Sequence, residues 1–311
     1  MHSGKVRGRR AASVIAMVIV AAMLAGCAVG GGSSGGSTGG KPNVVTTTTQ
    51  IRSMTEAVAG DLASVRSILT PGADAHHFEP RPSDVATIAT STLVLKNGLA
   101  LDDWVEKLIN NAGGQRPIVT VSTGITPRRG DEEGSPGDPH IWLSVLNAMT
   151  MTRNIRDALI QVDGGHADAY KANADAYLAK LDALDKYIKD QVTTIPEGDR
   201  KMVTNHDGFG YYIDRYGLTF VGSIIPSMST DAEPSAQDVV RLTEKIKAEH
   251  VKAIFLESSI NPKIAQQIAG DAGVKVVDTL YGDSLGDAGT PGATYEGMMR
   301  FNTDTIVSAL K

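Results

Sequence analysis

Four segments of the chain place a side chain that can bind a metal directly after an expected strand or within a loop. These side chains are His76, His140, His206 and Asp283. In open α/β sheets, ligands bind beyond the carboxyl ends of the strands. His206 and Asp283 follow two expected strands of the second half, and His76 and His140 are expected at the same edge in the first half. The four side chains are therefore candidates for one shared site.

Three histidines and one aspartate would make a tetrahedral ligand set of the kind that suits Zn²⁺. With neutral imidazoles and one carboxylate, the occupied site would carry a net charge of about +1. Spacing alone leaves open the alternative that these histidines are separate surface or packing residues. A zinc hydrolase is a further alternative, but catalytic zinc sites normally keep three protein ligands and an open position. The chain also lacks an H-E-x-x-H motif, so a binding site without catalysis is the better interpretation.

Short apolar runs rich in β-branched residues alternate with helical stretches from Val44 onward. Alternation of this kind is typical of βαβ units and a parallel sheet. The patterns predict strands at 44–48, 92–96, 118–121, 201–205, 219–225, 252–256 and 274–280. They predict helices at 51–59, 101–112, 208–216, 235–249, 262–272 and 295–310, with one more beginning at 83.

The stretch 166–195 contains neither Gly nor Pro, and its apolar residues recur every three or four positions. This spacing predicts one amphipathic helix of ~45 Å. We interpret it as a rigid helix that joins two lobes. The predicted fold is an α/β protein with two Rossmann-like lobes and parallel sheets. The predicted boundaries are 43–165 for the N-terminal metal-binding lobe, 166–195 for the linking helix and 196–311 for the C-terminal metal-binding lobe.

The first 26 residues have the pattern of a secretory signal peptide. Four basic residues among the first ten precede an apolar run at 11–25, which is short for a membrane span of ~20 residues. The run ends at Leu24-Ala25-Gly26-Cys27, which resembles a bacterial lipobox, and Cys27 is the sole cysteine. We expect Cys27 to carry lipid and 27–42, rich in Gly and Ser, to act as a flexible tether. An uncleaved anchor and a plain secretion signal are the alternatives.

The charge balance argues against a nucleic-acid partner. The chain has 30 basic and 35 acidic side chains. The leader contains four basic residues and no acidic ones, so its removal leaves a net charge of −9. An acidic protein of this kind attracts cations weakly and repels nucleic acid. We expect a monomer.

Motifs in a fixed order also mark the chain: Gly72–His76 with Phe78–Pro80 and Pro82–Asp84, Lys96–Leu99 with Trp104, Asp138–Leu143, Asn205–Phe209, Phe255–Ser259 and Gly282–Leu285. On these motifs, the chain from about Val44 to the C-terminus resembles the zinc/manganese solute-binding proteins of ABC importers (cluster A-I). The resemblance implies an extracytoplasmic lipoprotein that captures a divalent metal ion between two lobes and delivers it to an importer permease. It implies His76, His140, His206 and Asp283 as the ligands.

The choice of metal depends mainly on the third motif. Relatives with Glu there tend to favour Mn²⁺ or Fe²⁺, whereas His206 favours Zn²⁺, although some relatives with three histidines carry manganese. The chain departs from the family at Ala75, where Pro is usual, and in the loop 128–137, which is acidic and lacks His. We interpret that loop as a solvated turn, and an acidic loop that gathers metal ions is the alternative. Contributions of His77 and Glu257 stay open, as does a role as a surface adhesin.

Overall fold

The computed structural model describes residues 40–130 and 134–311. The predicted signal peptide, Cys27 and most of the tether lie outside the described residues. Within those residues, no helix is both long enough and apolar enough to cross a bilayer.

The N-terminal half forms a sheet of four parallel strands in the order β2-β1-β3-β4. The strands are β1 (Asn43–Thr46), β2 (Ser64–Ser67), β3 (Leu93–Lys96) and β4 (Ile118–Thr120). The helices of this half are α1 (Thr49–Ala59), α2 (Pro82–Ala89) and α3 (Trp104–Ala112). Asp84 lies in the first turn of α2 and bonds back to the amide of Arg81, which fixes the start of that helix.

Two long helices follow the first sheet. They are α4 (Val145–Val162) and α5 (Ala167–Val192), with a 3-10 turn at Gly164–His166 between them. The α5 helix has 26 residues, which gives a length of about 39 Å. Its buried residues, among them Tyr170, Ala174, Tyr177 and Leu181, lie along one face.

The C-terminal half repeats the arrangement, with parallel strands in the order β6-β5-β7-β8. The strands are β5 (Lys201–Thr204), β6 (Thr219–Ser223), β7 (Ala253–Glu257) and β8 (Lys275–Leu280). The helices are α6 (Gly210–Tyr216), α7 (Ala236–Ala248), α8 (Lys263–Ala272) and α9 (Tyr295–Leu310). This confirms the predicted fold: an α/β protein with two parallel sheets and one long helix.

One hydrophobic core reaches both sheets. Successive strand residues face opposite sides of a sheet; accordingly Val44 and Phe255 lie in the shared core, whereas their neighbours Val45 and Ile254 lie in separate outer clusters. The α5 helix contributes the residues of its buried face to the shared core. The described residues accordingly form a single compact unit, in which α5 packs against α1, α4 and α9 and is not a bare connection.

Candidate metal centre

The structure brings together the four side chains that the sequence singles out. One ligand atom from each of His76, His140, His206 and Asp283 lies within 4.8 Å of the other three. The Nε2 atom of His140 is 3.2 Å from Nε2 of His76 and 3.2 Å from Nε2 of His206. Carboxylate oxygens of Asp283 lie 3.4 to 3.6 Å from the three imidazoles. A tetrahedral zinc ion with bonds of 2.0–2.1 Å separates its ligands by about 3.3–3.4 Å, so the cluster has the size of a site for one ion.

Each of the four side chains lies beyond a strand, at the edge where parallel sheets bind ligands. His76 is in the connection between β2 and α2, and His140 follows β4 immediately before the 3-10 turn Ile141–Leu143. His206 comes just after β5, and Asp283 comes just after β8. The strand ends of the two halves thus meet at one place.

Charges within the cluster shift the pKa values of its members in different directions. Burial lowers the pKa of His140, but hydrogen bonds with Asp138 and Asp283 outweigh burial and raise it to about 10. The pKa of His206 is also raised, because Asp283 and Glu257 outweigh its burial. Burial lowers the pKa of His76 despite the nearby Asp283 carboxylate. For Asp283, burial raises the pKa, but the three imidazoles hold it well below its usual range.

The ring of His140 is oriented by Asp138. The Nδ1 atom of His140 is 2.8 Å from Asp138 Oδ1, which also accepts the His140 backbone N–H at 3.0 Å. The other oxygen, Oδ2, accepts from Arg128 Nη1 at 2.6 Å, and Arg128 Nε donates to Asp214 at 2.7 Å. A carboxylate on Nδ1 directs Nε2 towards the cluster and makes it a better ligand. Arg128, expected in a solvated turn, is instead half-buried within this network.

One buried carboxylate, Glu257 at the end of β7, supports two of the four side chains. Its Oε1 is 3.1 Å from His206 Nδ1, and its Oε2 accepts the backbone N–H of Asp283 at 2.7 Å. The amide of Asn205 donates to the same Oε1 at 3.1 Å. The sequence left the role of Glu257 open; its place at a strand end was the signal that pointed to this edge. It orients both His206 and Asp283 without being one of the clustered four.

Two glycines allow the chain to pass close to these groups. A Cβ atom on Gly208 would lie 2.6 Å from Nε2 of His206, the atom that faces the cluster. A Cβ atom on Gly282 would collide with the carboxyl group of Glu257. The carbonyl of Gly282 also accepts hydrogen bonds from Gln50 at 2.9 Å and from the Trp142 indole at 3.0 Å. The N-terminal half therefore helps to fix the residue next to Asp283.

The other histidines that the structure describes lie apart from the cluster. His77 is exposed and pairs with Asp231 rather than turning towards His76. His166 is exposed at the start of α5, where it bonds to Asp163, and His250 is exposed after α7. All three side chains therefore lie at the surface.

Two lobes with parallel sheets, joined by a long helix and facing one buried cluster, define the class of two-lobed solute-binding proteins. The family model described as "ZnuA: Zinc-uptake complex component A periplasmic" matches residues 44–309. The chain therefore belongs to the ZnuA family.

Three similar proteins carry the names of three different metals. The chain is 34% identical over 267 residues to the manganese-binding lipoprotein MntA of Halalkalibacterium halodurans, covering 86% of this chain and 88% of that one. It is 33% identical over 278 residues to the iron ABC transporter substrate-binding lipoprotein MtsA of Streptococcus pyogenes serotype M1, covering 87% and 89%. The structure of the periplasmic zinc-binding protein TroA from Treponema pallidum matches with a TM-score of 0.81 and 31% identity, covering 87% and 99%.

These similarities identify the chain as a divalent-metal-binding, substrate-binding protein of the ABC-transporter type. The family consists of binding proteins and not of enzymes, so the hydrolase interpretation is not supported. Manganese, iron and zinc are all represented among the names, so family membership defines the type of cargo without selecting one ion.

Proposed function

We propose that the protein captures Zn²⁺ between its two lobes, with His76, His140, His206 and Asp283 as ligands, and delivers the ion to the permease of an ABC importer. The observation that carries this proposal is the convergence of three imidazole Nε2 atoms and one carboxylate within 4.8 Å. Two of the four come from each half of the chain, so a bound ion would tie the halves together.

The donor set favours zinc over harder ions. Imidazole nitrogens suit Zn²⁺, whereas carboxylate and carbonyl oxygens suit Mn²⁺. Three of the four donors here are nitrogens, and the separations of 3.2 Å between Nε2 atoms match the tetrahedral spacing of zinc. Manganese is the second candidate, because MntA is named for it. Four protein ligands also fill a tetrahedral ion and leave no position for catalytic water.

Titration of the metal-stripped protein with Zn²⁺ and with Mn²⁺ tests the proposal. We expect one Zn²⁺ to bind per chain, with a lower Kd for Zn²⁺ than for Mn²⁺. The variant His166→Ala is a matched control, because it removes an exposed histidine outside the cluster and should bind as the wild type does. Equal or tighter binding of Mn²⁺ would contradict the choice of zinc, and an absence of binding would contradict the site.

We further propose that the mature protein begins at Cys27 and is held at the outer face of the membrane by lipid on that thiol, as a monomer on its Gly/Ser tether. Relatives named as lipoproteins support this location. The change Cys27→Ser removes the lipid acceptor and should release the protein from the membrane fraction. The change Ser34→Ala in the tether is the control. Retention of the Cys27→Ser protein on salt-washed membranes would rule out lipidation as the anchor.

A further inference from the structure

The loop that carries His76 is bound to the opposite half of the molecule. The backbone N–H of Gly72 donates to Ser284 Oγ at 2.7 Å. The Asp74 Oδ2 atom accepts from Thr230 Oγ1 at 2.7 Å. These bonds connect residues of the N-terminal half with the connections that follow β8 and β6. The position of His76 therefore depends on the C-terminal half.

Asp74 links the two sides through one carboxylate. Its Oδ1 accepts the backbone N–H of His76 at 2.8 Å, while its Oδ2 takes the Thr230 hydroxyl. Both bonds are partly buried, and both end on an anion, which makes them stronger than bonds between neutral groups. A movement of Thr230 is thereby transmitted to the backbone of His76.

Thr230 belongs to residues 227–231, which we call the strap. The strap lies between β6 and α7, and its first residue is fixed beside His206, because the Asp207 N–H donates to the Ser227 carbonyl at 2.9 Å. At its other end, Thr230 meets Asp74. The strap thus connects the backbone next to His206 with Asp74, the residue that holds the backbone of His76.

A cavity of about 250 Å³ lies between the strap and the N-terminal half. The strap contributes residues 227–229 and 231 to its lining, the facing wall includes Leu99 and Ala100, and His76 lines it as well. The side chain of His76 is 8% exposed, whereas those of His140 and His206 are 1% exposed. His76 is therefore the most exposed histidine of the cluster, and it is exposed to this cavity.

The wall opposite the strap is held rigidly. Leu99 and Ala100 have φ angles of 57° and 64°, a left-handed conformation that costs energy in residues other than glycine. The buried carboxylate of Asp102 fixes this turn by accepting the N–H groups of Asn97 at 2.6 Å and Gly98 at 2.9 Å. An opening of the cavity would therefore involve the strap more readily than this wall.

We propose that Asp74 is a positioning residue that locks His76 to the strap, and that the cavity between the strap and the Leu99–Ala100 turn is the passage for the metal ion. The inference rests on the proposed function, since it takes His76 as a ligand. With the Asp74–Thr230 bond intact, the strap and His76 close the site together. Without that bond, the exposed His77–Asp231 pair is left to join the strap to the loop, the loop is held more weakly, and the ion leaves faster.

The change Thr230→Val removes the hydroxyl and keeps the shape of the side chain. In the full-length protein loaded with Zn²⁺, release into excess chelator, followed by stopped flow, should become about tenfold faster, as expected for the loss of a bond to a charged group. Thr230→Ser should restore release to about the wild-type rate. Thr243→Val is the matched control, because the Thr243 hydroxyl donates to the Val239 carbonyl within α7.

A double-mutant cycle with Asp74→Ala tests whether the effect passes through Asp74. The double variant Asp74→Ala/Thr230→Val should release Zn²⁺ no faster than Asp74→Ala alone. Additive effects, or a release rate for Thr230→Val that equals the wild-type rate, would overturn the proposal that the Asp74–Thr230 bond keeps the site closed. If the wild-type protein took up no Zn²⁺ at all, the proposed function itself would fail, so the two failures are distinct.

Discussion

His76 and His140 come from the same half of the chain and meet at the same point, but the protein holds them in different ways. The ring of His140 is buried and bonded to Asp138, whose charge is in turn neutralised by Arg128. His76 is held by its backbone N–H, through Asp74, in a loop attached to the other half. Burial lowers the pKa of both rings; Asp138 and Asp283 outweigh it at His140 and raise that pKa, whereas at His76 burial prevails and the pKa is lowered.

The difference suggests a division of work within one site. A ligand whose ring is fixed by a carboxylate is pre-organised and contributes most to affinity. A ligand on a loop that contacts solvent controls how fast the site opens. A binding protein that must also give up its cargo needs both, and each property can be tested separately.

The largest expected effect is the loss of His140. We expect His140→Ala to weaken Zn²⁺ binding by at least about 100-fold, because loss of a ligand should exceed the 10–100-fold cost of losing an outer partner. His76→Ala should weaken binding less than His140→Ala does. Competition with a chromophoric chelator measures both, and circular dichroism checks the fold. Equal losses for the two variants would remove the distinction between them.

The outer partner of His140 comes next. Asp138→Asn keeps the shape of the side chain but removes its charge, and we expect Zn²⁺ affinity to fall by about 10–100-fold. The control is Asp214→Asn at the far end of the same network, where the carboxylate is 62% exposed and its ion pair is worth little. If both variants bind Zn²⁺ like the wild type, the ring of His140 does not depend on Asp138.

The fold could be predicted where local pattern and burial agree. The face of α5 repeats every three or four residues, and the prediction found this helix within three residues at each end. The prediction omitted β2, whose residues Ser64–Ser67 form a polar edge strand with alternating exposure. It also omitted α4, although Val145, Ala148, Met151 and Ile155 follow the helical period. Thr and Asn residues between them obscure that pattern.

The candidate site shows a similar limit. Residue type and place after a strand made the four clustered side chains candidates, and the resemblance to a metal-binding family implied them as the ligands. The supporting groups Asp138 and Glu257 could not be assigned from position alone, because their partners are set by the approach of distant segments, such as Glu257 to Asp283. Arg128 was misread for the same reason, since its partners Asp138 and Asp214 become visible only in the folded chain.

The dependence of binding on pH tests the raised pKa of His140. A reference pKa of ~6.5 for histidine would make Zn²⁺ affinity flat above neutral pH. In the ion-free protein, burial lowers the pKa of His140, but Asp138 and Asp283 raise it to about 10. Zinc must then displace a proton from His140. We therefore expect release of at least one proton per Zn²⁺ at pH 8, and affinity that rises about tenfold per pH unit between pH 7 and 8.5.

Isothermal titration in two buffers of different ionisation enthalpy counts these protons, and zero release at pH 8 would show that His140 is already neutral there.

The stability of the ion-free fold depends on pH in the opposite direction from Zn²⁺ affinity. Because the folded pKa of His140 exceeds its unfolded value, its protonation stabilises the fold fully below about pH 6.5, and this contribution is lost as the pH rises towards 10. The ion-free protein should thus melt at a lower temperature at pH 9 than at pH 7.

The smallest expected effect separates His77 from its neighbour His76. The side chain of His77 is 74% exposed and pairs with Asp231, which is 53% exposed, and ion pairs at such exposed positions contribute little. We expect His77→Ala to change Zn²⁺ affinity and release by less than about threefold. His166→Ala, another exposed histidine paired with an aspartate, gives the baseline. If His77→Ala instead weakened Zn²⁺ binding tenfold, the ring of His77 would have to contact the ion. That result would contradict the exposed position of this ring in the structure. A result at the baseline, together with faster release from Thr230→Val, would show that the Asp74–Thr230 bond, and not the His77–Asp231 pair, links the strap to the loop.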